Sequence, residues 1–212
     1  MDSISIDSLS LDKISLPKLP SFKFGSDEQW PSYGKNLTNQ RFSTLTQINQ
    51  DNVKNLELAW KFKSGVAATF QASPLVINNV MFVSLPHNHV VALDAKTGKE
   101  IWRYSHKKRD NWRMCCGPAN RGLAYSSNKI FIGTVDARLI ALDAKTGKEL
   151  WSHNNGLGHH GGVISYTAKG KQYVAVVTGW GSHVAGNYGP LFGKPFSEMP
   201  TDNGQLIVYS LK

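Results

Sequence analysis

The chain has 212 residues, of which 41% are hydrophobic and 10% aromatic, enough to bury a real core in one or two domains and to exclude a disordered protein. Charged residues are only 18%, while nineteen Gly and nine Pro punctuate the sequence, a pattern that suits many short strands joined by turns rather than long amphipathic helices. Lys+Arg 24 against Asp+Glu 15 gives a net charge of +9 that favours anionic partners, yet no recognition helix or stacking motif accompanies it, so nucleic acid is not expected among them. Five basic residues (Arg103, Lys107, Lys108, Arg109 and Arg113) cluster after Trp102 and read as a solvated loop.

Residues 1–26 alternate apolar and polar positions (Ile4, Ile6, Leu9, Leu11) and are broken by Pro17 and Pro20, which predicts a loosely ordered arm. They lack the basic start and continuous apolar core of a secretory signal, and no run in the chain approaches the ~20 apolar residues of a membrane helix. Residues 27–212 read as one domain. Leu56 to Phe62 supplies a lone strand bearing Trp60.

Beyond it the sequence repeats. VVALDAKTGKEIW over 90 to 102 and LIALDAKTGKELW over 139 to 151 are offset by 49 positions and identical at ten of thirteen. Each copy fits a strand, a turn built on Asp, Thr and Gly (Asp94, Thr97, Gly98; Asp143, Thr146, Gly147) and a second strand ending in Trp102 or Trp151. Two more strand-like runs precede each copy, Ser73 to Ile77 with Val80 to Ser84 and Asn120 to Tyr125 with Lys129 to Thr134. Four strands per unit, about 45 residues apart, predict a propeller blade. A third unit follows as Gly162 to Thr167, Gln172 to Thr178 and Gly204 to Ser210, with three strands. The expected fold is therefore all-β, a partial β-propeller of about three four-stranded blades, the Trp60 strand completing the last one. Trp60, Trp102 and Trp151 are expected to pack between blades.

Cys115 and Cys116 are the only cysteines and are adjacent. A disulfide between neighbours holds the Cα atoms within ~3.8 Å, below the usual ~4.4 Å, and closes almost no loop, so it would add little to stability. On the residues alone, two free thiols and a strained disulfide both remain open. Gly156 to Gly161 matches GxGxxG, but a strand pattern follows where dinucleotide binding requires a helix. His87, His89, His159, His160 and His183 come without carboxylate or Cys at ligand spacing. Asp94 and Asp143 are turn residues by repetition, and Asp136 sits in a tight turn.

Cys115-Cys116-Gly117-Pro118-Ala119-Asn120-Arg121-Gly122 resembles the vicinal-disulfide segment of the pyrroloquinoline-quinone (PQQ) dependent alcohol and methanol dehydrogenases. AxDxxTGxxxW (Ala92 to Trp102, Ala141 to Trp151) is similar to their tryptophan-docking repeat, and Trp30 to Trp60 and Gly161 to Leu211 resemble their opening and closing segments. The resemblance implies a Cys115–Cys116 disulfide lying against the quinone, Arg121 at its acidic edge, and cofactor contacts from Gln71, Gly179 and Trp180. It implies PQQ with calcium or a lanthanide, a small alcohol as substrate, an electron acceptor such as a cytochrome c, and a periplasmic setting. Full members are more than twice as long, and the part that carries their metal ligands and general base has no counterpart here. No catalytic or metal-ligating residue is therefore assigned, self-association to complete the propeller is one expectation, and a non-catalytic propeller scaffold or binding module, or an inactive truncation product, is the rival reading.

Overall fold

The computed structural model describes residues 29–36, 38–107, 117–154, 159, 162–179 and 204–211. Eleven strands form three antiparallel sheets among these residues. The first is a meander of β1 (Leu75–Ile77), β2 (Val80–Ser84), β3 (Val90–Asp94) and β4 (Glu100–Tyr104). The second repeats it with β5 (Ala124–Ser126), β6 (Lys129–Gly133), β7 (Arg138–Asp143) and β8 (Glu149–Asn154). The third holds β9 (Val163–Ala168), β10 (Lys171–Thr178) and β11 (Gln205–Ser210), in the order β11-β10-β9. The predicted arm of residues 1–26 lies outside the described residues.

Local chemistry explains the meanders. The first hairpin of each sheet turns on two consecutive residues with positive φ: Asn78 and Asn79, Ser127 and Asn128, Lys169 and Gly170. That is the backbone twist a two-residue hairpin requires, and Asn and Gly tolerate it best. The repeated Asp-Thr-Gly turns close the β3–β4 and β7–β8 hairpins identically. Asp94 Oδ1 accepts from Thr97 N at 2.7 Å and Thr97 Oγ1 at 2.7 Å, and Asp143 Oδ1 accepts from Thr146 N and Oγ1 at 2.8 Å each. The Thr hydroxyl, then the Thr backbone amide, holds each carboxyl below the usual carboxylate range. A register shift falls at the same place in both copies, between Ala92 and Leu93 and between Ala141 and Leu142.

The sheets stack face to face. Phe82, Val90 and Ala92 of the first pack on Ile130, Ile132, Ile140 and Leu142 of the second, while Phe131, Leu139 and Ala141 turn to Val163, Val174 and Val176 of the third. Because the second sheet is covered on both faces, the LIAL stretch of β7 is buried at every position. The far face of the first sheet (Val83, Leu85, Val91, Leu93) is covered by Trp60, Phe62 and Ala72.

Glycine in the repeated turn serves the seam between units. Gly147 has φ 72°, and a Cβ added there would lie 2.5 Å from Trp102 Cε3; at Gly98, φ 70°, it would lie 2.4 Å from Trp60 Cε3. Each Trp thus lies flat on the glycine turn of the next unit, and Trp102 Nε1 also donates to Ala144 O at 3.0 Å. Trp60 behaves as the counterpart of Trp102, as its sequence context predicts. The strand closure expected of it is not seen: residues 56–62 have no strand pairing, and Trp60 is seated on the first sheet while the third keeps three strands among the described residues. The third sheet instead packs directly behind the second, and that position leaves β11 away from the Trp60 segment. Trp151 is 41% exposed and packs against His153 and Tyr209, with ring centroids 6.0 and 5.2 Å away.

Candidate functional site

Antiparallel order brings one set of connections to a common edge: the approach to β1, the β2–β3 loop, the β4–β5 connection, the β6–β7 turn, the β8–β9 connection and the exit from β10. Hydrogen bonds knit these across the sheets. His106 Nε2 meets Asp136 Oδ1 at 2.9 Å with both side chains 1% exposed, and His159 N donates to Thr134 O at 3.1 Å. Asp136 does lie in the predicted tight turn, where Ala137 has φ 73° and Thr134 N donates to Arg138 O at 2.8 Å. Its buried pairing with His106, 30 residues away, had no sequence signal.

His89 and His106 are coupled as well. The His106 backbone N–H donates to His89 Nδ1 at 2.9 Å, which requires a neutral ring acceptor. Burial, then the charges of His87, His106 and Arg103, lower the His89 pKa and keep it so. Among the described residues no three His, Cys, Asp or Glu side chains converge as a metal-ligand group.

The residues predicted from sequence fall on this edge where they are described. Gln71 lies exposed ahead of β1, Arg121 lies exposed in the β4–β5 connection, and Gly179 follows β10 directly. No hydrogen bond joins these three to one another among the described residues. Cys115, Cys116 and Trp180 lie outside the described residues, as does any bond between the two cysteines. The start of the next segment is visible: Gly117, φ 85°, sits against Thr69, whose Oγ1 would be 3.1 Å from an added Cβ. The stretch that ends in Gln71 and the stretch that follows Cys116 are therefore neighbours.

Sequence reasoning passed over Asn88 and gave Asn120, though part of the motif, no role of its own. Asn88 is 1% exposed with φ 61°, and its Nδ2 is buried with no hydrogen-bond partner. An orphaned buried donor costs about 1–3 kcal/mol. The signal available was the Asn in each loop, a residue that tolerates positive φ and offers both donor and acceptor.

Electrostatically the edge is rich in donors. It offers the Arg121 guanidinium, the Gln71 amide and the orphaned Asn88 Nδ2, while the one buried carboxylate among its described residues, Asp136, is already held by His106. Such a set fits a ligand made of carboxylates and carbonyls.

A stack of four-stranded units with tryptophan docking and a donor-lined edge defines a β-propeller of the quinoprotein kind. The family model for the glucose/ethanol/alcohol dehydrogenase β-propeller domain (PQQ) matches residues 30–149 and 127–174, and the chain belongs to that family. It is 41% identical over 109 residues to the dehydrogenase subunit of the quinone alcohol dehydrogenase of Gluconobacter oxydans, covering 50% of this chain and 14% of that one. With the lanthanide-dependent methanol dehydrogenase of Methylorubrum extorquens it shares 46% identity over 96 residues, 43% of this chain and 16% of the relative. Among solved structures, a europium-containing methanol dehydrogenase superposes with TM-score 0.64 at 39% identity, over 72% of this chain and 28% of that one. The quinohemoprotein alcohol dehydrogenase of Comamonas testosteroni gives TM-score 0.63 at 35% identity, over 74% and 24%. The chain thus spans less than a third of the length of these relatives.

Proposed function

We propose that this chain forms the cofactor-facing wall of a PQQ-dependent alcohol dehydrogenase, holding pyrroloquinoline quinone by its acidic rim. The observation that carries the reading is the donor-rich edge on which Arg121, Gln71 and the orphaned Asn88 Nδ2 sit with no competing free carboxylate among the described residues. Arg121 would pair with a cofactor carboxylate, Gln71 would donate its amide, and Cys115–Cys116, as a vicinal disulfide, would pack on the ring, with Gly179 and Trp180 beside it. When bound, the quinone would supply the two-electron acceptor for oxidising an alcohol to an aldehyde. The chain's own part is to bind and orient; no residue here is assigned as general base or as ligand to calcium or a lanthanide.

Relatives extend the reading. One similar protein is named a 1-butanol dehydrogenase (cytochrome c), 34% identical over 115 residues, which supports a small alcohol as substrate and a cytochrome as electron acceptor. A periplasmic location goes with that chemistry and with a strained disulfide. Exposed Leu206 and Val208 on β11 support self-association, in which a strand from a second copy extends the third sheet.

The test is titration of the purified chain with PQQ plus calcium or lanthanum ion, followed by absorbance and by alcohol-dependent dye reduction. Saturable binding that Arg121→Ala and Cys115→Ala each weaken at least tenfold is the expected result. Binding equally strong in both variants would refute the site, and binding without turnover would leave a cofactor-binding propeller module, the rival reading.

A further inference from the structure

One amide ties three parts of the candidate site together. Asn120 Nδ2 donates to Asn88 Oδ1 at 3.2 Å in the β2–β3 loop and to Gly133 O at 2.9 Å at the end of β6, using both of its hydrogens. Its Oδ1 accepts from Gly122 N at 3.1 Å, and its own carbonyl lies 3.5 Å from the Ser84 Oγ donor at the end of β2. A second tie runs alongside, His87 N donating to Pro118 O at 2.9 Å. The β2–β3 loop that receives these bonds is held in an uncommon conformation, with His87 at φ 62° and Asn88 at φ 61°. Such backbone persists only where surrounding contacts impose it.

Between Gly117 and Gly122 the chain has no strand pairing to fix it. It nevertheless runs from the residue after Cys116 to the residue after Arg121, so both ends of the proposed ligand contact depend on its path. We infer that Asn120, seated against Asn88, is a positioning residue: it fixes the 117–122 segment between the first two blades so that Arg121 faces an acidic, carbonyl-bearing ligand. This inference rests on the function proposed above. Asn120 touches no ligand itself in this scheme, because both of its amide hydrogens are already used.

Asn120→Asp separates the possibilities. It preserves the Oδ1 acceptor for Gly122 N but sets an oxygen against Asn88 Oδ1 and Gly133 O, so both inter-blade ties are lost while the local turn survives. Hydrogen exchange of the intact chain without ligand is the first readout. Exchange across 117–122 is expected to rise at least tenfold in Asn120→Asp, and unchanged exchange would overturn the positioning role. The second readout is PQQ affinity by equilibrium dialysis, expected to fall about tenfold in Asn120→Asp. Gly147→Ala, which disturbs the turn at the opposite end of the second sheet, serves as the matched control: with an equal or larger loss of Tm it should bind within twofold of wild type. An equal loss of affinity in both variants would overturn the inference in favour of general destabilisation. If the wild-type chain binds no PQQ, the proposed function falls, and the exchange result alone then decides the positioning role.

Discussion

Gly147→Ala tests the docking that joins the first two sheets. At φ 72° an alanine must adopt left-handed backbone, which costs about 1–2 kcal/mol for a residue with a Cβ. The new methyl would sit 2.5 Å from Trp102 Cε3 and 2.7 Å from Cδ2, well inside van der Waals contact, so the indole must lift from the turn. Lifting it breaks the 3.0 Å bond from Nε1 to Ala144 O, a further loss of about 1 kcal/mol. Together these give about 2–3 kcal/mol, measured as the change in unfolding free energy by urea titration followed by tryptophan emission. Gly98→Ala meets Trp60 at 2.4 Å and carries the same backbone strain, but among the described residues Trp60 makes no indole hydrogen bond, so its loss should be about 1 kcal/mol smaller. A Gly147→Ala loss below about 1 kcal/mol, or a larger loss at Gly98, would refute the docking account.

The Asp94 and Asp143 turns carry a pH dependence. Their folded carboxyls lie below the usual range because Thr97 and Thr146 bond them, so their stabilisation is present at neutral pH and is lost as pH falls from the ordinary carboxylate pKa through the lowered folded values. Wild type should therefore lose its Tm advantage over Asp94→Asn/Asp143→Asn as pH falls below the ordinary Asp pKa of about 4; a gap that stays constant would contradict this. Tyr104 donates to Glu149 Oε2 at 2.8 Å across the first two sheets, and burial, then this bond, raises its pKa well above that of free tyrosine. On Glu149 burial pushes upward, but the bonds from Ser152 and Tyr104 prevail and the carboxyl is lowered. Tyr104→Phe should cost about 1 kcal/mol and raise the Glu149 pKa, read by NMR titration. Asp136→Ala leaves the buried His106 ring without its carboxylate and should cost about 2–3 kcal/mol, whereas Asp136→Asn, which retains an acceptor, should cost less than half of that; equal losses would show that the carboxamide cannot serve.

Strand content and blade repeat were legible because their determinants are local. Two consecutive residues able to take positive φ, an Asp-Thr-Gly turn and a terminal Trp each act within a few positions, and the observed strand ends lie no more than four residues from the predicted ones. What depends on the neighbour was not legible. Nothing around Leu56 to Phe62 states which sheet lies beside it, and extended residues there read as a strand although only their side chains are engaged, through Trp60 and Phe62. His106 and Asp136 each look like ordinary loop residues until folding places them 2.9 Å apart. Asn120 was visible as part of a motif, but its partners Asn88 and Gly133 come from two different sheets. Gln71 and Gly179, named by family resemblance, lie at the same end of the sheets because the order of the strands is set by the repeat.

Trp151, 41% exposed, differs from the other two repeat tryptophans. Trp60 meets Gly98 and Trp102 meets Gly147, whereas Trp151 meets no described glycine and packs on the rings of His153 and Tyr209. Cohesion in such an assembly passes from each unit only to the next, as in a one-dimensional array whose stability is a sum of intrinsic and nearest-neighbour contributions. The first two sheets share an indole seam and a ten-residue apolar cluster, whereas the third is joined through a seven-residue apolar cluster, the Trp151–Tyr209 ring contact and hydrogen bonds between Gln172 and Ser126 and Ser127, with no indole docked on a glycine turn among the described residues. Unfolding should then fray from the third sheet inward, as a graded rather than all-or-none melt.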